Sequence, residues 1–466
     1  MQSVSDSNPF DSGPDDGDDE FNFMNMFGSG DPNEMMASFM QMFGGVGAMG
    51  GSGIDGATQI AVSIASGGAT EPNVDPVERI ALEQLIRVAE LRIAEATGLS
   101  SGTTMPLVVA PVTKADWVRK SMTPLKPLLE QIAAAMTAAP SSSDMATPSD
   151  PQAALFEQIF ASMRPMMVNM TMGSMMGHIA TKALGTYDLP LPRPGSHELL
   201  ITVSNLTALG NEWSLDPDEL KLWIVLNEVA HHSVLSIPHV AERMNSLIGR
   251  YAAAFKNDPN ALGDAFGGID MSSGDPSNFA DLQKQLQETF GDPSGMLSSL
   301  RSPEQEALLP EIAALSAVVV GYVDHVMDSV GTGLISTYEM LSEAVRRRRV
   351  TTSESDRFAE RLLGLELDQA LYDRGSAFVD GVAELGGKPA LERLWESEET
   401  LPTPNEIGSP GLWLARQGIE FDVEVDPAEF DNLAEFLQEV EGQDGDASPN
   451  STDKDSTDPD STSEEE

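Results

Sequence analysis

The segment Leu222-Trp-Ile-Val-Leu-Asn-Glu-Val-Ala-His-His-Ser-Val-Leu-Ser-Ile-Pro238 reads as one buried helix with a polar cluster in its second half. Just upstream, Asp216-Pro217-Asp218-Glu219 supplies an N-cap aspartate and a proline for the first turn. Leu220, Leu222, Trp223, Ile224, Val225 and Leu226 make the helix apolar almost all round, so it belongs in a core. Polar groups on such a helix need partners. Asn227 and His231 stand four apart and share a face, and Glu228 and His232 form a second pair rotated by one residue. Pro238 marks the end of the helix or a point just beyond it.

The frame Asn227-Glu228-Val229-Ala230-His231 is H-E-x-x-H with its first histidine replaced. In the complete pattern two histidines one turn apart hold zinc, and the glutamate takes a proton from the bound water. Asparagine offers only a weak, neutral amide oxygen in the first ligand's place. The candidate site residues are therefore Glu228 as base and His231 with His232 as metal ligands. Adjacent histidines point about 100° apart on a helix, which opposes joint ligation of one ion. The same residues also read as a buried polar network, with Glu228 bonded to a histidine and Asn227 satisfying a neighbour. Of the other histidines, His325 has the richest surroundings, on an apolar helix between Asp324 and Asp328, and it is a third candidate ligand.

Composition narrows the function classes. The chain has 466 residues, 41% of them hydrophobic, enough for a sizeable core. It carries 74 acidic and 27 basic residues, a net charge of −47, which argues against nucleic acid or an anionic membrane as partner. Arg346-Arg347-Arg348-Arg349 is then a local ion-pairing element rather than a nucleic-acid patch. Cysteine is absent, so disulfides and thiolate chemistry are excluded, in keeping with a cytoplasmic protein. The first residues have no basic-then-apolar signal pattern, and the longest apolar run, Ile312 to Val323, is too short to span a bilayer.

The fold class expected is mainly α. Residues 1–75 read as a disordered acidic, Met- and Gly-rich tail, since the first basic residue is Arg79. Within it Asp31-Pro32-Asn33-Glu34 caps a short amphipathic helix near 31–43, whose Met and Phe face suits either the chain's own body or a protein partner. A helical domain follows over 76–425. Asp75-Pro76 caps its first helix, in which Ile80, Leu82, Leu85, Ile86, Val88, Ala89 and Leu91 face inward. Short strands are expected at 107–112 and 199–203, and Gly173, Gly177 and Gly185, with the Met-rich helical stretch 153–184, suggest close helix packing. Residues 257–306 read as a mobile loop with a helix near 279–290. Residues 426–466 hold a short helix, to 441, and a disordered acidic tail.

The order and spacing of several landmarks carry a resemblance. They include Asp116-Trp117, Glu228-Val-Ala-His231-His232, Gly321-Tyr-Val-Asp-His-Val-Met-Asp328, Arg346 to Arg349, Gly364-Leu-Glu-Leu367 with Tyr372, Gly375 and Phe378, and Leu401-Pro-Thr-Pro with Trp413, Leu414 and Arg416. Over roughly 80–420 the chain resembles the zincin-like family of zinc-dependent metalloproteases and hydrolases, one branch of which is associated with deazaflavin-cofactor biosynthesis. The resemblance implies a mainly helical zincin-like domain flanked by the acidic tails, zinc as cofactor, a peptide or protein substrate, Glu228 as base and His231 as second helix ligand. It also implies a departure at Val320, where relatives tend to carry glutamate. Two functions follow: a zinc hydrolase with a degraded motif, or an inactive helical scaffold that binds a partner.

Overall fold

The computed structural model describes residues 53–99, 106–137, 151–255, 301–350, 357 and 360–421, and these are predominantly helical. The segments expected to be helical at 31–43, 279–290 and 426–441 lie outside the described residues. Helix α1, Ile54–Ser66, falls inside the stretch expected to be tail and buries Ile54, Ala57, Ala61 and Ala65. The body therefore extends N-terminal to residue 76. A face built from alanine and glycine in a Gly- and Ser-rich setting has too little apolar contrast to stand out.

Helix α2, Pro76–Thr97, starts at Asp75, whose carboxylate accepts from the Val77 amide at 2.9 Å. Leu82, Ile86, Ala89 and Ile93 form its buried stripe. Ile80, Val88 and Leu91, expected inward, are 56%, 41% and 57% exposed. The helix is apolar on two sides, and the body covers only the side with i, i+4, i+7, i+11 spacing.

The expected strands form as β1, Val108–Val112, and β2, Glu198–Thr202, paired in parallel with Val108 opposite Glu198 and Val112 opposite Thr202. The crossover between them contains α3, Lys114–Thr137, and α4, Pro151–Lys182. The small residues of α4 explain its approach to α1. A Cβ placed on Gly173 would lie 2.7 Å from the Ala57 carbonyl oxygen, and one on Gly177 would lie 2.7 Å from Cβ of Ile64.

After β2 come α5, Val203–Trp213, α6, Pro217–Leu235, and α7, Pro238–Ala253. Helix α6 is the motif helix. Asp216 caps it as expected, accepting from the Asp218 and Glu219 amides at 3.0 Å, and every residue from Trp223 to Leu235 is buried. The chain continues with α8, Pro303–Leu334, α9, Tyr338–Val350, α10, Gln369–Arg393, and α11, Pro410–Arg416. Helix α8 is longer than the apolar run foretold. Its 32 residues are long and apolar enough to cross a membrane by length and composition, yet 67% of its most apolar window is buried within the fold. It packs across α10 and α6 as the central core helix. Gly321 of α8 and Gly375 of α10 meet backbone to backbone, so that neither leaves room for a Cβ.

Candidate functional site

The second half of α6 faces a tight turn, Gly185 to Asp188, which joins α4 to the approach to β2. Several groups fix this turn. The Trp117 indole donates to the Gly185 carbonyl at 2.8 Å, and Arg193 donates to the Thr186 carbonyl at 3.1 Å. The Asp188 carboxylate accepts from the Gly185 amide at 2.7 Å, and the Thr186 hydroxyl accepts from the Leu200 amide at 2.7 Å.

Glu228 completes the clamp. One carboxylate oxygen accepts from the Thr186 amide at 2.8 Å, and the Tyr187 amide lies 3.2 and 3.3 Å from the two oxygens. Gly185 lies directly over the carboxylate, where any Cβ would strike it. Glu228 is 1% exposed. Burial pushes its carboxyl up to about 8 and the nearby Asp188 charge adds to this, while the backbone amides of Thr186 and Tyr187 pull the other way. The expected Glu228–histidine bond is not made; the glutamate's partners are backbone amides of the turn.

The two helix histidines have separate lives. His231 Nδ1 lies 2.9 Å from the Asn227 carbonyl oxygen, so Nδ1 carries the proton and Nε2 is left as a bare acceptor. Burial lowers its pKa to about 4, which keeps the ring neutral, and the ring stacks on Tyr187 with centroids 5.8 Å apart. His232 turns to other partners: Nδ1 is 2.9 Å from the Tyr187 hydroxyl and Nε2 is 3.1 Å from the Ser236 hydroxyl. The third candidate, His325, pairs with Asp380 at 3.0 Å in a separate cavity of about 150 Å³, beyond Trp223 and Arg349.

Asn227, Glu228 and His231 line a cleft of about 380 Å³ between α4, α5, α6 and α9. Trp213, Trp223 and Tyr372 give it aromatic walls. The arginine run does pair locally, as its setting implied. Arg347 bonds Glu343, Arg348 bonds Asp188 at 3.3 Å, and Arg349 bonds Asp324 at 3.1 Å while lying 4.3 Å over the Tyr372 ring. The sequence reading missed Thr186, Tyr187, Asp188 and Arg193, which reach the motif from more than thirty residues away and carry no local signal.

Zinc is the metal that the motif implies, and these residues do not fit it. Asn227 stands at the first ligand position, Glu228 is spent on the turn, and both His232 nitrogens have partners. Among the described residues no three histidine, aspartate or glutamate side chains converge as a metal site. Val320, where the resemblance implied a glutamate, is a core residue 2% exposed. His231 alone keeps the tautomer that a metal ligand needs.

The body is thus a helical scaffold in which the buried helix α6 carries a glutamate and a histidine along one wall of a cleft. The chain belongs to the zincin-like metallopeptidase family, whose model matches residues 54–414, beginning at the first residue of α1. A solved structure from Chloroflexus aurantiacus, described as a candidate hydrolase with a novel fold, aligns with a TM-score of 0.54 and 20% identity. The alignment covers 78% of this chain and 98% of that one, and at this identity the likeness is one of fold. No curated protein matches the chain.

Proposed function

We propose that this chain is a zincin-like scaffold that binds a ligand in the cleft over α6 without hydrolysing it through zinc. The observation that carries this reading is the state of Glu228. A general base must be ionised and must reach a water, whereas this carboxyl is buried, pushed up to about 8 and bonded to the Thr186 and Tyr187 amides. Asn227 in place of the first ligand supports the same conclusion from the metal side.

The test is metal analysis of the freshly purified full chain, paired with a peptidase assay before and after a chelator. The expected result is zinc well below stoichiometry, no chelator-sensitive cleavage, and a melting temperature that the chelator leaves unchanged. Stoichiometric zinc that disappears in His231→Ala, with cleavage abolished in Glu228→Gln, would establish the hydrolase instead.

A further inference from the structure

Helix α2 has two apolar faces. Leu82, Ile86, Ala89 and Ile93 are buried where the helix packs on α6, β1 and α8, while Val77, Ile80, Val88 and Leu91 are exposed on the opposite side. Val77, at 67%, is the most exposed of the described large apolar side chains. With 3.6 residues per turn, all four fall within about 40° of Gln84 round the helix, and Gln84 is itself exposed. The stripe runs about 21 Å along the axis. Among the described residues nothing covers it.

The order of the stripe names its occupant. Val77 and Leu91 stand seven residues to either side of Gln84, and Ile80 and Val88 stand four to either side. A second copy turned about a two-fold axis at Gln84 therefore sets Val77 against Leu91, Ile80 against Val88, and Gln84 against itself. In such an isologous contact each unlike pair is made twice. The charges fit the same axis. Glu83 and Arg87 stand on one edge of the stripe, and the two-fold brings like edges together. Arg87 of one copy then lies about 3 Å along the axis from Glu83 of the other. Within the chain Arg87 meets Glu90 at 3.6 Å with its own side chain 66% exposed, a pairing too weak to hold it back. The helix carries four glutamates and three arginines, close to neutral on a chain of net charge −47. It is thus a face on which two such acidic bodies can approach. A strip about 21 Å by 10 Å is smaller than the roughly 800 Å² per partner of a standard interface, so the pairing is weak and reversible.

We infer that α2 is a homodimer contact, in which two copies of the chain pair antiparallel through Val77, Ile80, Val88 and Leu91 about an axis at Gln84. The inference is independent of what the cleft over α6 binds.

The chain has no cysteine, so a placed one is a clean reporter. Full-length Gln84→Cys, oxidised with copper phenanthroline, should form a disulfide dimer. Val77→Cys should not cross-link to itself, because the antiparallel pair holds its two copies about 21 Å apart, whereas a mixture of Val77→Cys and Leu91→Cys should give the mixed dimer. Arg79→Cys, exposed but outside the stripe, controls for chance collision. Sedimentation of the natural chain from about 1 to 300 µM, in about 0.15 M salt, should pass from monomer toward dimer mass. Val88→Glu should restore monomer mass throughout and leave the melting temperature unchanged, since its site is open in the monomer. Arg87→Glu should weaken the dimer about fivefold, and adding Glu83→Arg should restore it. Monomer mass of the natural chain over the whole range would overturn the inference. So would cross-linking of Arg79→Cys as fast as Gln84→Cys, or of Val77→Cys to itself. Monomer mass combined with a lowered melting temperature in Val88→Glu would put a segment of the same chain, such as 31–43, on this face in place of a second copy.

Discussion

Replacing Glu228 by glutamine should change the pH dependence of stability rather than the fold. In the folded chain burial holds the Glu228 carboxyl up to about 8, against an ordinary value of 4.5. Between those two values the folded state keeps a proton that the unfolded state has released. A rise in pH across this window therefore favours unfolding. The loss is about 1.4 kcal/mol per pH unit, about 5 kcal/mol over the window. It is fully developed above about pH 8 and absent below 4.5. Glutamine has the shape of the protonated acid, keeps a carbonyl oxygen for the Thr186 amide, and cannot ionise. The assay is urea denaturation of both proteins from pH 4.5 to 9. Near pH 5 the two should differ by less than about 1 kcal/mol, and by pH 9 the glutamine variant should be the more stable by several. Taking the difference between the two curves cancels every other titrating group that the substitution leaves alone. A difference that stays constant across the range would refute the buried-acid account, and a natural chain that gains stability over glutamine as pH rises would reverse it.

His231 gives the opposite slope. Burial lowers its pKa from 6.5 to about 4, so stability is lost as pH falls through that window, and His231→Gln should flatten the acid limb of the same denaturation series. Gly185→Ala sets a methyl against the Glu228 carboxylate and should cost about 1–3 kcal/mol, read as a lower denaturation midpoint. Arg349→Met removes the ion pair to Asp324 and the stacking on Tyr372, leaves Asp324 partly buried without its partner, and should cost about 3 kcal/mol by the same measure. His325→Ala should cost under about 1 kcal/mol and leave metal content unchanged, because its partner Asp380 is 67% exposed and the pair lies outside the α6 cleft.

The motif helix was legible because its signals are local. Asp216 and Pro217 fix its start, and an apolar surface on all sides demands burial. The paired strands were legible for the same reason, as short β-branched runs. The missing first ligand could also be read directly, since it is one residue in a fixed frame. What could not be read is the use to which Glu228 is put. Its partners, the Thr186 and Tyr187 amides, are backbone groups 42 and 41 residues upstream, and a backbone amide leaves no mark in the sequence. The Gly321–Gly375 crossing was hidden in a similar way, because two glycines 54 residues apart declare no contact until the helices cross. On α2 the periodicity misled in another sense. It offered two apolar faces, and only the position of the body chose between them.

The two departures from a zinc site reinforce one another physically. Zinc beside Glu228 would favour its ionised form and offset the cost of burying that charge. With asparagine at 227 no such charge is held there, and burial raises the pKa of the carboxyl against the pull of the Thr186 and Tyr187 amides. In that state it is poorly suited to deprotonate water, but it serves well as a peg for the Gly185–Asp188 turn. That turn in turn presents Tyr187, which stacks on His231 and holds His232. Glu228, Tyr187 and the two histidines thus form one bonded layer beneath the cleft. Beside that layer Trp223 Nε1 and Asn227 Oδ1 are buried without a partner.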